Sequence, residues 1–228
     1  MNKSDLTFDT LKNDEKVRAY ITAGDKALRE LGFTDHSFSH VYKTAKTAAV
    51  LLSDLGFGRR DIELAEIAGL LHDVGNVVNR SSHALTGGVL AESILSKYNM
   101  PYHEIASVIT AIGNHDEETG RPVNIIAAAL ILADKSDVRR SRVTENDMDK
   151  ILADIHDRVN YAVTDGGISA CADENNAKKI VLNLHIDTSV CSVMDYFEIF
   201  LTRMLMCRRA AAYLDARFEL IINDLKIM

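Results

Sequence analysis

The sequence predicts a mainly α-helical protein that carries a small antiparallel β-meander and a long terminal helix in its C-terminal part. Three observations predict this fold class. Apolar residues recur at helical spacing through roughly the first 155 residues, between glycines and prolines that interrupt helices. From Val159 onward, apolar residues alternate with polar or small ones, as they do in strands. From about residue 190 the helical spacing returns and continues almost to the last residue.

The first part of the chain is predicted to form seven helices, whose bounds follow from the apolar spacing and from the breaks between segments. They lie near residues 7–31, 37–55, 61–74, 84–98, 102–114, 122–141 and 145–156. The last helix gains support from Thr144 and Asp147, which have the spacing of a capping box. Together these helices are expected to form one domain over residues 1–156.

The second part, residues 157–228, is predicted to be an α+β appendage. The alternating segments 159–163, 168–172 and 180–186 are interpreted as three short strands, and Asp165-Gly166-Gly167 is a hairpin signal between the first two. An antiparallel sheet is the simplest arrangement of strands that are joined by such short connections.

The helical pattern from about residue 190 to residue 226 is long for a globular helix, which allows two interpretations. Its apolar face packs against the core of its own chain, or part of that face forms a seam with a second copy in a homodimer. The appendage is accordingly a candidate element for dimerisation or for substrate specificity.

Composition excludes several classes of protein. The chain has 228 residues and 47% hydrophobic residues, enough for a substantial core, and its longest apolar stretch falls well short of the roughly 20 residues that cross a bilayer. The N-terminus lacks a signal-peptide pattern, and the three cysteines show no CxxC spacing. We therefore expect a cytoplasmic protein without a membrane partner or a disulfide framework. The net charge of −7 argues against binding to a nucleic acid duplex, but a bound metal would still attract a small anion.

The pair His72-Asp73 follows the apolar segment Leu64–Leu71, where neither side chain is expected for packing. A buried carboxylate is costly unless it is paired or binds a metal. Neighbouring residues on a helix point about 100° apart, so both side chains could bind one ion only near a helix end, which Gly75 supplies. The pair therefore predicts a cation site.

Four further residues share this setting at the ends of apolar helices: His40, His83, His115 and Asp134. A single histidine of this kind is more commonly structural, and an Asp beside a Lys more commonly forms a surface ion pair. Their joint occurrence favours a metal site. Mixed imidazole and carboxylate donors suit iron, manganese, zinc, cobalt or nickel rather than calcium.

The order His40, His72-Asp73, Asp134 resembles the HD-domain metal-dependent phosphohydrolases, whose pattern is a His, a His-Asp doublet and a distant Asp. The segments that flank these residues are similar as well, over about residues 30 to 142. The resemblance implies an HD-domain helical bundle in which these four side chains bind one divalent ion.

Family members that bind a second ion have additional histidines between the doublet and the last Asp, where His83 and His115 stand in this chain. Asp116 is a candidate oxygen ligand of that second site. In the related HD-GYP group, a second His would follow His115 and a Lys would stand at Asn76. These departures make cleavage of cyclic di-GMP a less expected activity.

The resemblance implies metal-dependent hydrolysis of a phosphate ester or phosphoanhydride in a small substrate, with a nucleotide as the favoured class. With two ions bound, Asp73 would be the bridging carboxylate and the catalytic residue. Candidates for phosphate binding are Lys43, which follows His40 by three residues, and Arg139 and Arg142, which have the spacing of a bidentate clamp. Solvated basic side chains are the alternative interpretation of these three residues.

Two other classes of function stay open at this point. A catalytically weak regulatory protein would keep the metal pocket and sense a nucleotide through the C-terminal appendage. A purely structural helical adaptor would leave Asp134 without a role.

Overall fold

The structure, a computed structural model, describes residues 6–228 and has the mainly α-helical fold that the sequence predicts, with a small sheet and a long helix in the C-terminal part. The described helices are α1 (Phe8–Leu11), α2 (Glu15–Glu30), α3 (Phe38–Asp54), α4 (Arg59–Leu71), α5 (His83–Ser96), α6 (Tyr102–Gly113), α7 (Ile125–Lys135), α8 (Met148–Ala153), α9 (Ile155–Ala162) and α10 (Val193–Tyr213). The strands are β1 (Val163–Ala172), β2 (Lys178–Ile186), β3 (Arg217–Ile222) and β4 (Leu225–Lys226).

The predicted first helix, residues 7–31, is wrong as a single element, because Asp14 starts a new helix within it. Its carboxylate accepts a hydrogen bond from the backbone N–H of Val17 at 3.0 Å and so caps α2. The same carboxylate accepts bonds from Tyr98 Oη at 2.5 Å and from Lys97 Nζ at 3.1 Å. Asp14 therefore also ties α2 to the end of α5.

Helices α3, α4 and α7 form the centre of the bundle, and α4 and α7 are buried over most of their length. Helices α3 and α4 come unusually close at Gly69, where a Cβ atom would lie 2.5 Å from the Cα of Ala45. This approach brings His40, in the first turn of α3, next to His72, at the C-terminus of α4.

A second close approach lies just after α4, in the 3₁₀ turn Val74–Val77. A Cβ atom on Gly75 would lie 2.6 Å from the backbone nitrogen of Gly87, so only glycine lets this turn pack against α5. The contact brings Asp73 beside His83, the first residue of α5.

The predicted helix 122–141 ends early, since α7 stops at Lys135. After α7 the carboxylate of Asp137 is buried, and Arg142 donates hydrogen bonds to the backbone oxygens of Asp35 and Asp137. The predicted capping box is also different, because Asp147 alone caps α8 by accepting from the backbone N–H of Asp149.

The predicted three-stranded sheet is wrong in its strand bounds and strand number, but the antiparallel pairing of segments 168–172 and 180–186 is confirmed, within β1 and β2. Residues 159–162 belong to α9, which Asp154 caps, and the two glycines of the predicted hairpin lie inside β1. The turn between β1 and β2 is at Asp173, whose carboxylate accepts from the backbone N–H groups of Asn175 and Ala177.

The four described strands lie in the order β1-β2-β3-β4, with β2 and β3 parallel and the other pairs antiparallel. Parallel neighbours need a long crossover, and α10 provides it. The predicted helix 190–226 is correspondingly too long: α10 ends at Tyr213, and Phe218, Leu220 and Ile222 alternate as the buried face of β3.

Within residues 6–228 no helix is long and apolar enough to cross a membrane. The division into residues 1–156 and 157–228 stays a prediction, as does a homodimer through the terminal helix. Helix α9 runs across that division, and α10 packs against α7, so the C-terminal part reaches the centre of the bundle.

Candidate metal centre

Four buried histidines converge at the point where α3, α4, α5 and α6 meet. The Nε2 atoms of His40 and His72 lie 3.2 Å apart, and those of His83 and His115 also lie 3.2 Å apart. The rings of His72 and His115 connect the two pairs, with their centroids 5.0 Å apart. The four predicted histidine ligands therefore form one cluster.

Each of these histidines directs its other ring nitrogen, Nδ1, at an oxygen that accepts a hydrogen bond. The acceptors are Asp137 Oδ2 for His40 at 2.8 Å, Gly69 O for His72 at 2.8 Å, Arg80 O for His83 at 2.9 Å and Ile112 O for His115 at 2.6 Å. A backbone carbonyl cannot donate, so Nδ1 carries the proton in the neutral rings and Nε2 presents a lone pair. Lone pairs that face one another at this distance fit a shared cation.

Asp73 lies between the two histidine pairs and presents one oxygen to each. Its Oδ2 is 3.3 Å from Nε2 of His72, and its Oδ1 is 3.6 Å from Nε2 of His83. Asn76 donates a hydrogen bond to Oδ1 at 2.8 Å and so fixes the orientation of the carboxylate. One carboxylate oxygen of Asp73 therefore faces each pair of histidines.

Asp134 lies beside the pair His40 and His72, with its Oδ1 3.2 Å from Nε2 of His40. Among residues 6–228, two sets of residues have donor atoms close enough to hold a metal ion: His40, His72 and Asp134, and also His72, Asp73 and His115, all buried. Asp116 lies at the edge of the cluster, 3.9 Å from Nε2 of His83, and its side chain is 26% exposed.

Burial and the neighbouring charges set the protonation of these groups. Burial lowers the pKa of His115 to about 3 and also lowers the pKa of His83, so both rings are neutral at pH 7. Burial opposes the charge of Asp73 and Asp134, but His72 and Lys135 respectively outweigh it and hold the pKa of each carboxyl well below its usual value. The site therefore offers ionised carboxylates beside neutral imidazoles.

His72 differs from the other two rings. Burial acts to lower its pKa, yet the carboxylates of Asp73 and Asp134 outweigh that effect and raise it. The position between these two carboxylates thus favours a positive charge. A divalent metal fits the same position, because nitrogen and oxygen donors of this mixture bind divalent transition ions.

The three cations predicted to bind phosphate converge on Asp137 instead. Lys43 Nζ and Arg139 Nε each lie 2.9 Å from Asp137 Oδ1, and Arg142 Nη1 lies 3.8 Å from Oδ2. Burial opposes the charge of Asp137, but the hydrogen bond from His40 and these cations outweigh it and lower the pKa of the carboxyl. Phosphate binding by Lys43 and Arg139 stays a prediction, with no pocket contact to support it, since neither residue lines the cavity described next.

A cavity of about 310 Å³ opens onto the cluster, and its walls come from separate parts of the chain. The segment before α3 contributes Phe33 and His36, and the C-terminal helices contribute His156, Phe200 and Arg203. The cationic side chains among the lining residues are Arg80, Lys135, Arg142 and Arg203.

Sequence reasoning did not single out Asp137 or Arg203 as functional residues. Asp137 could have been found from its three-residue spacing after Asp134, which places both carboxylates at the end of a buried helix. No comparable signal marks Arg203, because its contact with the cavity depends on how α10 packs against α7.

Comparison with known proteins identifies the HD domain in residues 37–161 of this chain. Ribonuclease Y of Mycoplasma mycoides is 24% identical over 198 residues, which cover 86% of this chain and 41% of that protein. Ribonuclease Y of Lawsonia intracellularis is 32% identical over 105 residues, which cover 45% of this chain and 18% of that protein. An uncharacterized protein of Methanocaldococcus jannaschii is 27% identical over 159 residues, which cover 60% of this chain and 61% of that protein.

The chain thus spans less than two thirds of the length of each of these relatives. Among solved structures, a predicted HD superfamily hydrolase from an uncultured Thermotogales bacterium is 21% identical, with a TM-score of 0.43 over 57% of this chain and 73% of that chain. The HD domain covers more than half of the residues of this chain and includes His40, the His72-Asp73 doublet and Asp134. The chain belongs to the HD-domain family.

Proposed function

We propose that this protein is a metal-dependent phosphohydrolase that cleaves a phosphate ester or phosphoanhydride in a small substrate, with a nucleotide as the favoured class. The observation that carries the proposal is the placement of Asp73 between two pairs of histidines, with one oxygen directed at each pair. The ordered motif and the HD-domain match support a hydrolase in general.

In this proposal His40, His72 and Asp134 hold a first divalent ion, and His83 and His115 hold a second, with Asp116 as an additional oxygen donor. Asp73 is shared by both. A divalent ion in such a site lowers the pKa of bound water towards neutrality and neutralises charge on phosphoryl oxygens. Iron, manganese, zinc, cobalt and nickel all suit this donor set.

The remaining side chains of the site have positioning roles. Asn76 holds Asp73 through the hydrogen bond to Oδ1, and Asp137 holds the ring of His40. Second contacts of this kind restrict the rotation of each ring or carboxylate and would orient it towards a bound divalent ion.

The dimensions and charge of the cavity support a small anionic substrate. Its volume of about 310 Å³ is at the lower end of the range for small-molecule pockets, roughly 300 to 1,000 Å³. The names of two relatives, ribonuclease Y, extend the proposal to phosphodiester substrates.

The proposal can be tested on protein purified under low oxygen without added metal, whose bound metals are counted before a panel of nucleotides and other phosphorylated metabolites is assayed. We expect bound metal and hydrolysis of at least one member of the panel. His72→Ala and Asp73→Ala should lose both, whereas His103→Ala should keep both, because His103 is exposed and lies outside the cluster.

Hydrolysis that survives His72→Ala and Asp73→Ala would exclude the proposed site. Bound metal and tight nucleotide binding without turnover would instead identify the protein as a regulatory nucleotide sensor.

A further inference from the structure

Arg203 extends from α10 to the wall of the cavity, and its environment orients the guanidinium group. The group lies over the ring of Phe200, with Cζ 4.4 Å from the ring centroid. Its Nε donates a hydrogen bond to Glu117 Oε1 at 2.5 Å. Within residues 6–228 the two Nη groups donate no hydrogen bond to the protein. Arg203 therefore has both of its NH2 groups, with four N–H donors, left for a ligand.

A short series of contacts connects Arg203 to the metal centre. Glu117 Oε1 lies 4.0 Å from Lys135 Nζ, which in turn lies 2.7 Å from Asp134 Oδ2. Lys135 is buried, with its side chain 7% exposed. Glu117 thus contacts two cations of the cavity wall at the side of the site next to Asp134.

The net charge of the residues that line the cavity indicates how much negative charge a ligand can carry there. Among the described lining residues, Arg80, Lys135, Arg142 and Arg203 balance Asp73, Glu117, Asp134 and Asp154, which gives a net charge of zero when the histidines are neutral. Each divalent ion would add two positive charges. With two ions bound, the positive charge exceeds what one phosphate dianion neutralises.

We propose that Arg203 and Lys135 form a second anion subsite, which binds an anionic group of the substrate other than the phosphate that the metal centre takes. In the free protein Glu117 holds Nε of Arg203 beside this subsite, and its negative charge competes with the ligand's second phosphate or carboxylate. The inference rests on the proposed function, and it assigns the substrate to compounds that carry two anionic groups. Arginine suits such a role because its planar fork binds phosphate or carboxylate with two parallel hydrogen bonds.

Binding of three stable probes to the metal-loaded protein tests the subsite: methylphosphonate, methylenediphosphonate and phosphonoacetate, each measured by calorimetry. The first probe has one anionic group, and the other two add a phosphonate or a carboxylate. Arg203→Met should weaken the binding of methylenediphosphonate or phosphonoacetate about tenfold or more, because hydrogen bonds between charged groups are lost. The same variant should change the affinity for methylphosphonate less than about twofold. The probe whose binding is weakened more identifies the second anionic group of the substrate as a phosphate or a carboxylate.

Two further variants make the test sharper. Glu117→Gln should strengthen the binding of the two-anion probe severalfold, because the competing carboxylate is gone. Arg208→Met should behave like the wild type, since Arg208 is an exposed arginine of the same helix. Metal content and the circular dichroism of each variant verify that the fold is intact.

Equal binding of all probes by wild type and Arg203→Met, or an equal loss for all probes, would overturn the subsite. Hydrolysis measurements separate this result from a failure of the proposed function. If the wild type hydrolyses a substrate and Arg203→Met has the same KM, the subsite is wrong and the hydrolase proposal stands. If no substrate is hydrolysed but Arg203→Met still binds the two-anion probe more weakly than the wild type, the subsite is supported and the hydrolase proposal is wrong.

Discussion

Asp137 accepts a hydrogen bond from Nδ1 of His40 at 2.8 Å, and this contact determines which nitrogen of His40 faces the metal centre. The carboxylate is held in turn by Lys43, Arg139 and Arg142. A basic cluster that the sequence suggested for substrate binding therefore contacts a carboxylate behind the site.

Asp137→Asn is expected to weaken metal binding about 10- to 100-fold, as changes to groups that orient metal ligands commonly do. The amide loses the negative charge that stabilises His40 and leaves three cations without their partner. Dialysis against graded concentrations of a chelator, followed by metal counting, measures the effect. Asp149→Asn, a change at an exposed Asp, is the control. Equal metal retention by both variants would contradict a positioning role for Asp137.

His83→Ala is expected to remove one metal ion and leave the other, because His83 belongs to the pair on the far side of Asp73 from His40. His40→Ala should have the complementary effect on the first ion. Metal counting on protein loaded with manganese and then desalted distinguishes the variants from the wild type. If His83→Ala retains the full complement of metal, His83 is not a metal ligand.

Gly69→Ala is expected to destabilise the protein by about 1–3 kcal/mol, the usual range for added atoms in a packed core. Its Cβ would lie 2.5 Å from the Cα of Ala45, so α3 and α4 must separate and His40 must move away from His72. Urea denaturation and metal counting both report the change. Gly113→Ala is the matched control, because nothing lies within 4 Å of a Cβ at that helical glycine. A Gly69→Ala variant as stable as Gly113→Ala would contradict the close approach.

Asp14→Ala is expected to lower the free energy of unfolding by about 1–2 kcal/mol at pH 7, through loss of the α2 cap and of the bond from Tyr98. Burial opposes the charge of Asp14, but the contacts from Tyr98, Val17 and Lys97 outweigh it and lower its pKa to about 2 from 3.8. A lowered folded-state pKa stabilises the protein above the unfolded value, and this contribution is lost as pH falls.

The difference in stability between wild type and Asp14→Ala should accordingly be constant above about pH 5 and shrink between about pH 4 and pH 2. Urea denaturation at a series of pH values measures it. A difference that stays the same down to about pH 2 would show that the charge of Asp14 contributes nothing.

The candidate metal centre was predictable where polar residues interrupt apolar helices. His72, Asp73 and Asp134 are conspicuous for this reason, since burial of such side chains demands a partner. Asp137 was harder to predict because its surroundings in the sequence are polar, and its partner His40 lies 97 residues away. Arg203 looks like any charged residue of an amphipathic helix until the packing of α10 is known.

The sheet was mispredicted for a related reason. Phe218, Ile222 and Leu225 satisfy the spacing of a helix, while Phe218, Leu220 and Ile222 satisfy that of a strand. The choice between the two is made by β2, whose residues Ile180, Leu182 and Leu184 pair with that same strand face. Local sequence cannot contain this information, because tertiary context decides short apolar segments.

The cavity wall that α10 provides, Phe200 and Arg203, lies beyond the end of the HD domain, whereas the lining residues of α9, His156 and Asn160, lie within it. The histidines and carboxylates that would carry out the chemistry and the α10 side chain Arg203, which would contact a second anionic group, are therefore encoded in different stretches of one chain. Substitutions in α10 can change which compound is admitted while the histidines and carboxylates stay as they are. Such a protein can evolve to bind a new substrate and still catalyse the same type of reaction.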